Sequence, residues 1–329
     1  MTQRNPNADT AASPGDSRRE SQGNSLDWRK AIVIRAFAQS PDFLGSTVFL
    51  HSLEDYRAVF RRARSLGFQG VQLYLEISGG VLNLSTPGAA LEELAALARA
   101  EGVQFPSLEI APLQYSFTSD DPSERRRGKE VVARAMEIAR GLGCSGVLVI
   151  PGYVGKMWDP GTDQVSYDHA YDRTLEALRE LAPAAERLRV PMLVEPIWNM
   201  FLLSPLEMRR LVDEVGSPWC GVLLDTGNVT LCGFAEQWIR ILGSRVREIH
   251  MKDFRRQVGT INGFAPLLAG DVNWPAVTAA ARVVGFSGFW TAEQFPYPHH
   301  GQTILEHTSL AMDRILGCVA SSHKQTQEV

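Results

Sequence analysis

Short runs of apolar residues alternate with longer stretches of helical periodicity along most of this chain. The runs are brief, mostly apolar and bounded by Gly or Pro, which is typical of buried parallel strands. Eight strands are predicted in this way, at residues 31–34, 70–73, 105–108, 146–150, 192–194, 221–224, 246–249 and 289–292. Eight helices are predicted between and after them, near residues 53–66, 88–102, 122–142, 168–189, 205–216, 234–243, 274–285 and 302–318.

This alternation predicts an α/β fold, because a helix that links two strands lets them lie parallel in one sheet. Eight such units in about 290 ordered residues suit a (β/α)8 TIM barrel, whose usual length is about 250 residues. An open, doubly wound sheet is the alternative. It is less favoured because no Gly-x-Gly-x-x-Gly turn follows the first predicted strand. We therefore expect a single TIM-barrel domain at residues 28–320.

The two ends of the chain differ in composition from the barrel. Residues 1–27 are rich in Asn, Ser, Gly, Asp and Arg and lack the apolar stretch of a secretory signal. We expect them to form a disordered tail, and residues 321–329 to form a flexible one. We expect no membrane association, because no segment holds the roughly 18 consecutive apolar residues of a membrane-spanning helix.

Composition narrows the class of function. The chain has 329 residues, 44% of them hydrophobic, and a formal net charge of -4, which gives no electrostatic reason to expect a nucleic-acid partner. The cysteines are scattered, without a Cys-x-x-Cys pair, so neither a thiolate zinc site nor a disulfide framework is predicted. This pattern suits a cytoplasmic protein. The cysteines are Cys144, Cys220, Cys232 and Cys318.

Acidic or imidazole side chains stand where the fifth to eighth predicted strands end: Glu195, Asp225, His250 and Glu293. Strand C-termini in a barrel share one face, where reactive groups gather. One such residue alone is more often a helix cap or an ion-pair partner than a ligand. Three carboxylates that converge in a barrel mouth need a cation, because buried, unpaired charges are costly. The pattern therefore predicts one divalent metal ion; Mn²⁺ is favoured, and Mg²⁺, Co²⁺ or Zn²⁺ are permitted.

The segments around these four positions resemble those of a known family. As a set they are specific, although each alone would be weak. The chain is similar from about residue 30 to residue 318 to the xylose isomerase-like superfamily of TIM-barrel sugar phosphate isomerases and epimerases. The segments that carry the resemblance are residues 194–199 (VEPIWN), 224–228 (LDTGN), 249–253 (IHMKD) and 292–293 (AE).

In that family the Glu, Asp, His and Glu bind one divalent ion, and the two glutamates also transfer protons on opposite sides of the substrate. The resemblance thus implies that Glu195 and Glu293 are the catalytic acid and base, and that Asp225 and His250 complete the coordination. It implies isomerisation or epimerisation of a small carbohydrate, by removal of a proton beside a carbonyl to give a metal-stabilised enediolate. It also implies a homo-oligomer, since such relatives commonly form dimers or tetramers.

The resemblance also indicates substrate contacts. Many members carry His where this chain has Asn228, whose amide can donate a hydrogen bond to a hydroxyl but cannot carry a proton near neutral pH. Ketose 3-epimerases of the family place Arg six residues after the metal-binding His, where Arg256 stands here, to bind a hydroxyl or polarise the carbonyl. Trp198 and Asn199 are candidates for lining the sugar pocket; for Trp198, packing at the rim is the alternative. Lys252 is a further candidate for contact with the substrate.

Basic residues after the fourth and seventh predicted strands suggest that the substrate carries a negatively charged group. Lys252, Arg255 and Arg256 follow the seventh strand, and together with Lys156 they could hold a phosphate or a sugar acid. A Gly-rich phosphate-binding turn is not visible in the sequence, so phosphorylation of the substrate stays open. Glu109, at the end of the third predicted strand, is expected at the surface or behind the metal ligands.

Three other functions remain as alternatives. The same site could drive elimination, as in inosose dehydratase-like lyases or the barrel subunits of C-glycoside-cleaving enzymes. A nuclease like endonuclease IV shares the fold, but it needs several zinc ions, a His-rich site and a basic face, and this acidic chain has only seven His residues. The third alternative is not an enzyme but a barrel that binds a sugar without catalytic activity.

Overall fold

Ten strands form in the computed structural model, which describes residues 26–38, 50–111, 114–159, 161 and 163–317. Eight of the strands are parallel and close into a barrel, and β8 and β9 pair antiparallel in a separate hairpin. The (β/α)8 prediction is confirmed. In chain order the strands are β1 (Trp28–Val33), β2 (Gly70–Leu75), β3 (Leu108–Ile110), β4 (Val147–Val149), β5 (Met192–Val194), β6 (Cys220–Asp225), β7 (Val246–Met251), β8 (Asp253–Phe254), β9 (Phe264–Ala265) and β10 (Gly288–Ala292).

The barrel closes where the last strand meets the first. Strands β1 to β7 are neighbours in chain order, and β10 pairs with both β7 and β1. The register of β10 aligns Thr291 with His250 on β7 and Ala31 on β1. All eight strand C-termini therefore lie at one mouth, which is the condition that the predicted site requires.

Helices surround the barrel at the predicted places, and their ends differ from the prediction by at most two residues. The additional short helix α6 follows β6 directly, and the Asp225 side chain begins it by accepting a hydrogen bond from Asn228 N at 2.7 Å. In the described part of the chain, no helix is both long and apolar enough to cross a bilayer. The helices are α1 (Leu53–Ser65), α2 (Gly88–Ala100), α3 (Pro122–Leu142), α4 (Tyr167–Leu188), α5 (Pro205–Val215), α6 (Thr226–Thr230), α7 (Ala235–Leu242), α8 (Trp274–Val283) and α9 (Thr303–Leu316).

The third strand lies later in the chain than the predicted 105–108, because β3 covers only Leu108–Ile110. Pro106 has no N–H to give to a strand ladder, and the Phe105 and Pro106 carbonyls accept from Ser145 N, just before β4, instead. This shift places Glu109 inside the strand rather than after it. Its buried carboxylate faces the barrel interior.

The interior of the barrel is apolar on one side and polar on the other. Alternate residues of a strand point to the same face, so Glu248 and His250 of β7 both point inwards, as do Leu223 and Asp225 of β6. A small apolar cluster fills the side of β4, β5 and β6 with Leu148, Ile150, Leu193 and Leu223. The predicted tails at residues 1–27 and 321–329 lie outside the described residues, apart from Leu26 and Asp27.

Candidate metal centre

The four predicted ligands meet at the C-terminal mouth of the barrel. Glu195 directly follows β5, Asp225 ends β6, His250 lies in β7 and Glu293 directly follows β10. Each offers one ligand atom, and these atoms all lie within 4.8 Å of one another. The side chains are at most 10% exposed, so the cluster is enclosed by protein. Four separate strand ends thus supply one compact donor set.

The imidazole of His250 is at the centre of this cluster. Its Nδ1 lies 3.4 Å from Glu293 Oε2, 3.7 Å from Glu195 Oε1 and 3.9 Å from Asp225 Oδ2. Both His250 Nδ1 and Asp225 Oδ2 are buried without a hydrogen-bond partner, and most buried polar atoms have one. Three carboxylates and one imidazole nitrogen suit a divalent ion such as Mn²⁺. The donor set and its two buried atoms without hydrogen-bond partners therefore fit one ion.

Two cations already lie beside the carboxylates. Lys252 Nζ is 2.7 Å from Glu293 Oε2 and 3.2 Å from Asp225 Oδ2. Arg35, in the 3-10 turn directly after β1, places Nη2 2.6 Å from Glu109 Oε1 and 3.5 Å from Glu293 Oε1. The Lys252 ammonium and the Arg35 guanidinium thus compensate part of the negative charge that four neighbouring carboxylates carry when they are ionised. The four carboxylates are those of Glu109, Glu195, Asp225 and Glu293.

The two glutamates in the cluster have different environments. Burial, with repulsion from Glu293 and Asp225, raises the pKa of Glu195 well above its usual value. Burial also acts to raise the pKa of Glu293, but the Lys252 ammonium and His250 outweigh it and hold that pKa well below its usual value. Burial raises the pKa of Asp225 to about 6. Before a cation binds, the pKa values of the two glutamates are therefore shifted in opposite directions.

His250 carries a proton in this environment. Burial acts to lower its pKa, but the neighbouring carboxylates of Glu293, Glu195 and Glu248 outweigh burial and raise the pKa to about 9. A metal ion binds only the nitrogen that has lost its proton. Metal binding at this site therefore competes with protons.

A cavity opens above the cluster. The polar cluster forms its floor, and the remaining wall is apolar and aromatic. Such a wall can pack against the apolar faces of a small ligand, while the floor offers charged groups to its polar atoms. The apolar lining residues are Leu148, Ile150, Trp158, Ile197, Trp198 and Phe264.

Asn228, Trp198 and Lys252 lie in this cavity. Asn228 Nδ2 donates to Glu195 Oε1 at 3.3 Å, and its Oδ1 accepts from Lys252 Nζ at 3.4 Å. The indole of Trp198 donates to the Asn228 carbonyl at 3.1 Å and stacks on Phe264. Asn228 thus joins the Glu195 carboxylate to the Lys252 ammonium, and Trp198 holds Asn228 in place.

The other predicted substrate contacts lie elsewhere. Asn199 donates to the Gly152 carbonyl at 2.6 Å and is buried behind the mouth. Arg256 donates to the Thr230 carbonyl at 2.9 Å and to the Gly233 carbonyl, outside the residues that line the cavity. These contacts fix the loops after β5 and β6.

The predicted phosphate-binding group does not assemble as one cluster. Arg255 donates to the Ala269 carbonyl at 2.9 Å, and Lys156 lies over the Tyr153 ring, 4.5 Å from its centroid. Of the four basic residues in that group, Lys252 alone is among the described residues that line the cavity. Its ammonium is held by Asp225 and Glu293.

The β8–β9 hairpin supplies one wall of the cavity, and Asp253 holds it. The buried Asp253 carboxylate accepts from the backbone N–H groups of Phe254, Leu268 and Val272 and from the Trp274 indole, at 3.0 to 3.2 Å. Glycine is required at position 270, because a Cβ there would overlap Asp253 Oδ1. The hairpin thereby presents Phe264 to the cavity, 4.6 Å from Lys252 Nζ.

Sequence reasoning missed three residues of this region: Arg35, Gln72 and Phe264. Arg35 directly follows the predicted strand 31–34, so the strand-end rule that found Glu195 would also have found it. Gln72 is a polar residue within the apolar strand β2, and its 1% exposure together with its contact with His250 shows that it points into the barrel. Phe264 begins the short strand β9, which no sequence pattern predicted, and the hairpin brings it to the site.

The sequence profile of the xylose isomerase-like TIM barrel family matches residues 60–314. The chain belongs to this family. It is 30% identical over 201 residues, 60% of this chain and 67% of the relative, to the 2-epi-5-epi-valiolone 7-phosphate 2-epimerase of an Actinoplanes species. It is 26% identical over 241 residues, 71% of this chain and 81% of the relative, to the Escherichia coli K12 protein SgbU, provisionally named an L-ribulose-5-phosphate 3-epimerase.

Solved structures share the fold. The crystal structure of a D-psicose 3-epimerase determined in the presence of D-fructose superposes with a TM-score of 0.70. The two chains are 16% identical, and the match covers 88% of this chain and 99% of the other. At this identity the likeness shows the barrel architecture, which agrees with the strand order above.

Proposed function

We propose that this chain is a divalent-metal-dependent sugar epimerase or isomerase that moves a proton at a carbon beside a carbonyl. One observation carries the proposal: ligand atoms of Glu195, Asp225, His250 and Glu293 lie within 4.8 Å of one another at the mouth of the barrel. The relatives support it, because each is named as an epimerase. Their names favour epimerisation over the interconversion of aldose and ketose.

Glu195, Asp225, His250 and Glu293 would hold the ion, with Mn²⁺ as the first candidate and Mg²⁺, Co²⁺ or Zn²⁺ as alternatives. When bound, such an ion supplies Lewis-acid polarisation of two neighbouring sugar oxygens, which makes the adjacent C–H acidic.

Glu195 and Glu293 are the proton-transfer pair in this proposal. Both line the cavity, and their environments push their pKa values apart, which is the pattern of an acid and a base that work together. Lys252 holds Glu293 Oε2 at 2.7 Å and keeps it ionised and fixed. Asn228 holds Glu195 Oε1 at 3.3 Å. Each carboxylate is therefore positioned before the substrate arrives.

The substrate is a small carbohydrate with a carbonyl group, oriented against the apolar wall of Trp198, Phe264 and their neighbours. Phosphorylated substrates are named for both sequence relatives, whereas free psicose is named for the structural one. An experiment that tests the function therefore includes both free and phosphorylated sugars. The free thiols of Cys144, Cys220 and Cys232 fit a cytoplasmic location, and a homo-oligomer stays part of the proposal.

Deuterium exchange tests the function without knowledge of the natural substrate. Mn²⁺-loaded protein is incubated in D₂O with ketoses, aldoses and their phosphates, and deuterium at the carbon beside the carbonyl is measured by NMR. The proposal predicts exchange with at least one of these sugars. Exchange should be lost in Glu195→Gln and Glu293→Gln and kept in Glu92→Gln, a control at an exposed position of α2. Exchange that persists in both site variants would contradict the assigned pair.

A further inference from the structure

Gln72 of β2 lies on the far side of the His250 ring from the carboxylates. Its Nε2 is 2.8 Å from His250 Nε2, and both side chains are 1% exposed. We propose that Gln72 is a positioning residue that holds the His250 ring with Nδ1 free to bind the metal ion. The inference rests on the proposed metal centre and adds a residue from a strand that contributes no ligand.

The protonation of the imidazole ring decides which of its nitrogens can bind an ion. A neutral imidazole carries one N–H and one lone pair, and only the nitrogen with the lone pair binds a cation. His250 Nδ1 is the nitrogen that faces Glu195, Asp225 and Glu293 at 3.4 to 3.9 Å. The opposite nitrogen, Nε2, must then carry the proton and needs a hydrogen-bond acceptor behind it.

Gln72 offers that acceptor. Its Nε2 also donates to Ser107 Oγ at 2.7 Å, while its Oε1 is buried without a hydrogen-bond partner. Rotation of the amide by 180° exchanges these two atoms, so that the oxygen accepts from the His250 ring and from the Ser107 hydroxyl. With oxygen towards the ring, Gln72 accepts from Nε2–H and leaves Nδ1 to the metal ion. This orientation of the amide is therefore the one that fits the metal-binding form of His250.

The other acceptor near the ring is not placed for this role. Glu248 Oε1 lies 3.9 Å from His250 Nε2, beyond hydrogen-bond range, and accepts from Thr291 Oγ1 at 2.6 Å. Glu248 therefore stands behind the network, and Gln72 makes the direct contact. Among the residues that the structure describes, the side chain that lies within hydrogen-bond distance of His250 Nε2 is that of Gln72.

Two variants of similar size separate hydrogen bonding from packing. Gln72→Met keeps the length of the side chain and removes the acceptor, whereas Gln72→Glu keeps an acceptor and removes the donor. The affinity of the metal-free full chain for Mn²⁺ is measured by calorimetry, and the melting temperature of each variant is checked. We expect Gln72→Met to bind Mn²⁺ about 10- to 100-fold more weakly, and Gln72→Glu to stay within about threefold of the unchanged chain, because its carboxylate still accepts from Nε2–H.

A second measurement does not depend on how the variants fold. In the unchanged chain labelled with ¹⁵N-histidine and loaded with diamagnetic Zn²⁺, the His250 signals should show a proton on Nε2 and none on Nδ1. A proton on Nδ1, Mn²⁺ binding by Gln72→Met equal to that of the unchanged chain, or equal weakening in both variants would overturn the inference. If the unchanged chain binds no divalent ion, the proposed function fails as well. If the unchanged chain binds Mn²⁺ and Gln72→Met binds it equally well, the proposed function stands and this inference alone fails.

Discussion

The guanidinium of Arg35 and the carboxylate of Glu109 form a buried ion pair, with Nη2 and Oε1 2.6 Å apart, beside the candidate metal centre. Both side chains are less than 10% exposed. The same guanidinium lies 3.5 Å from Glu293 Oε1, so the pair connects the first and third strands to a proposed catalytic group. A change in one partner therefore alters the charge balance around Glu293.

Removal of Arg35 should be strongly destabilising, because it leaves the buried Glu109 carboxylate without its cation, whereas removal of Glu109 leaves Arg35 its contact with Glu293. We expect Arg35→Met to lower the free energy of unfolding by about 3–5 kcal/mol, and Glu109→Gln to lower it by less. The double variant Arg35→Met/Glu109→Leu should lose less than the sum of the two single losses. Urea unfolding measures all three values.

A surface pair provides the control for this cycle. Arg134 and Glu137 lie 2.8 Å apart at the surface, and exposed pairs contribute at most about 1 kcal/mol. Glu137→Gln should therefore lower the unfolding free energy by less than about 1 kcal/mol. Equal losses in Arg35→Met and Glu137→Gln would show that the buried pair contributes nothing beyond a surface contact.

Metal affinity should rise with pH. The pKa of His250 is raised to about 9, so at neutral pH the metal-free ring holds a proton that a metal ion must displace. Because binding releases this proton, the affinity should rise about tenfold per pH unit below the pKa of His250. Calorimetry with Mn²⁺ between about pH 6 and about pH 8 measures this slope. An affinity that stays constant or falls across this range would contradict the protonated state of the site.

Asp253 should be essential for the shape of the cavity although it binds no ligand in this account. Its two carboxylate oxygens accept four N–H groups. In Asp253→Asn the amide nitrogen replaces one oxygen and faces two N–H donors. Hydrogen bonds to a charged acceptor contribute about 1.5–3 kcal/mol each, so we expect a loss of about 2–4 kcal/mol in the free energy of unfolding.

A matched substitution checks that prediction. Asp271 follows the turn of the same loop and accepts from Arg256 N at 2.8 Å, in an exposed position. Asp271→Asn keeps one acceptor there and should change stability by less than about 1 kcal/mol. If Asp253→Asn is as stable as Asp271→Asn, the hairpin is held by its aromatic packing rather than by the buried carboxylate.

The sequence was sufficient for the barrel and for the four residues that the structure brings together. Each of the eight predicted strands and helices forms, because strong periodicity and bounding Gly and Pro residues define them locally. Glu195, Asp225, His250 and Glu293 were found because a strand end can be recognised along the chain. Their roles as ligands and proton carriers stay predictions that the measurements described here test.

The contacts between strands could not be predicted from the sequence. Gln72 meets His250 across the interior, 178 positions away along the chain, and that distance depends on the closure and register of the barrel. Arg256 illustrates the opposite case: its offset from His250 suggested a substrate contact, but two backbone carbonyls accept its hydrogen bonds. A sequence offset fixes the position of a residue along the chain, whereas its partners depend on the loops that fold around it.

The central claim is that the cluster at the barrel mouth binds one divalent ion. Calorimetric titration of the metal-free chain with Mn²⁺ tests it most directly, with Asp225→Asn as the matched variant, because Asn keeps the oxygen that caps α6 and removes the ligand charge. The account predicts one ion per chain and an affinity more than about tenfold weaker in Asp225→Asn. An absence of Mn²⁺ binding, or equal affinity in the two proteins, would contradict it.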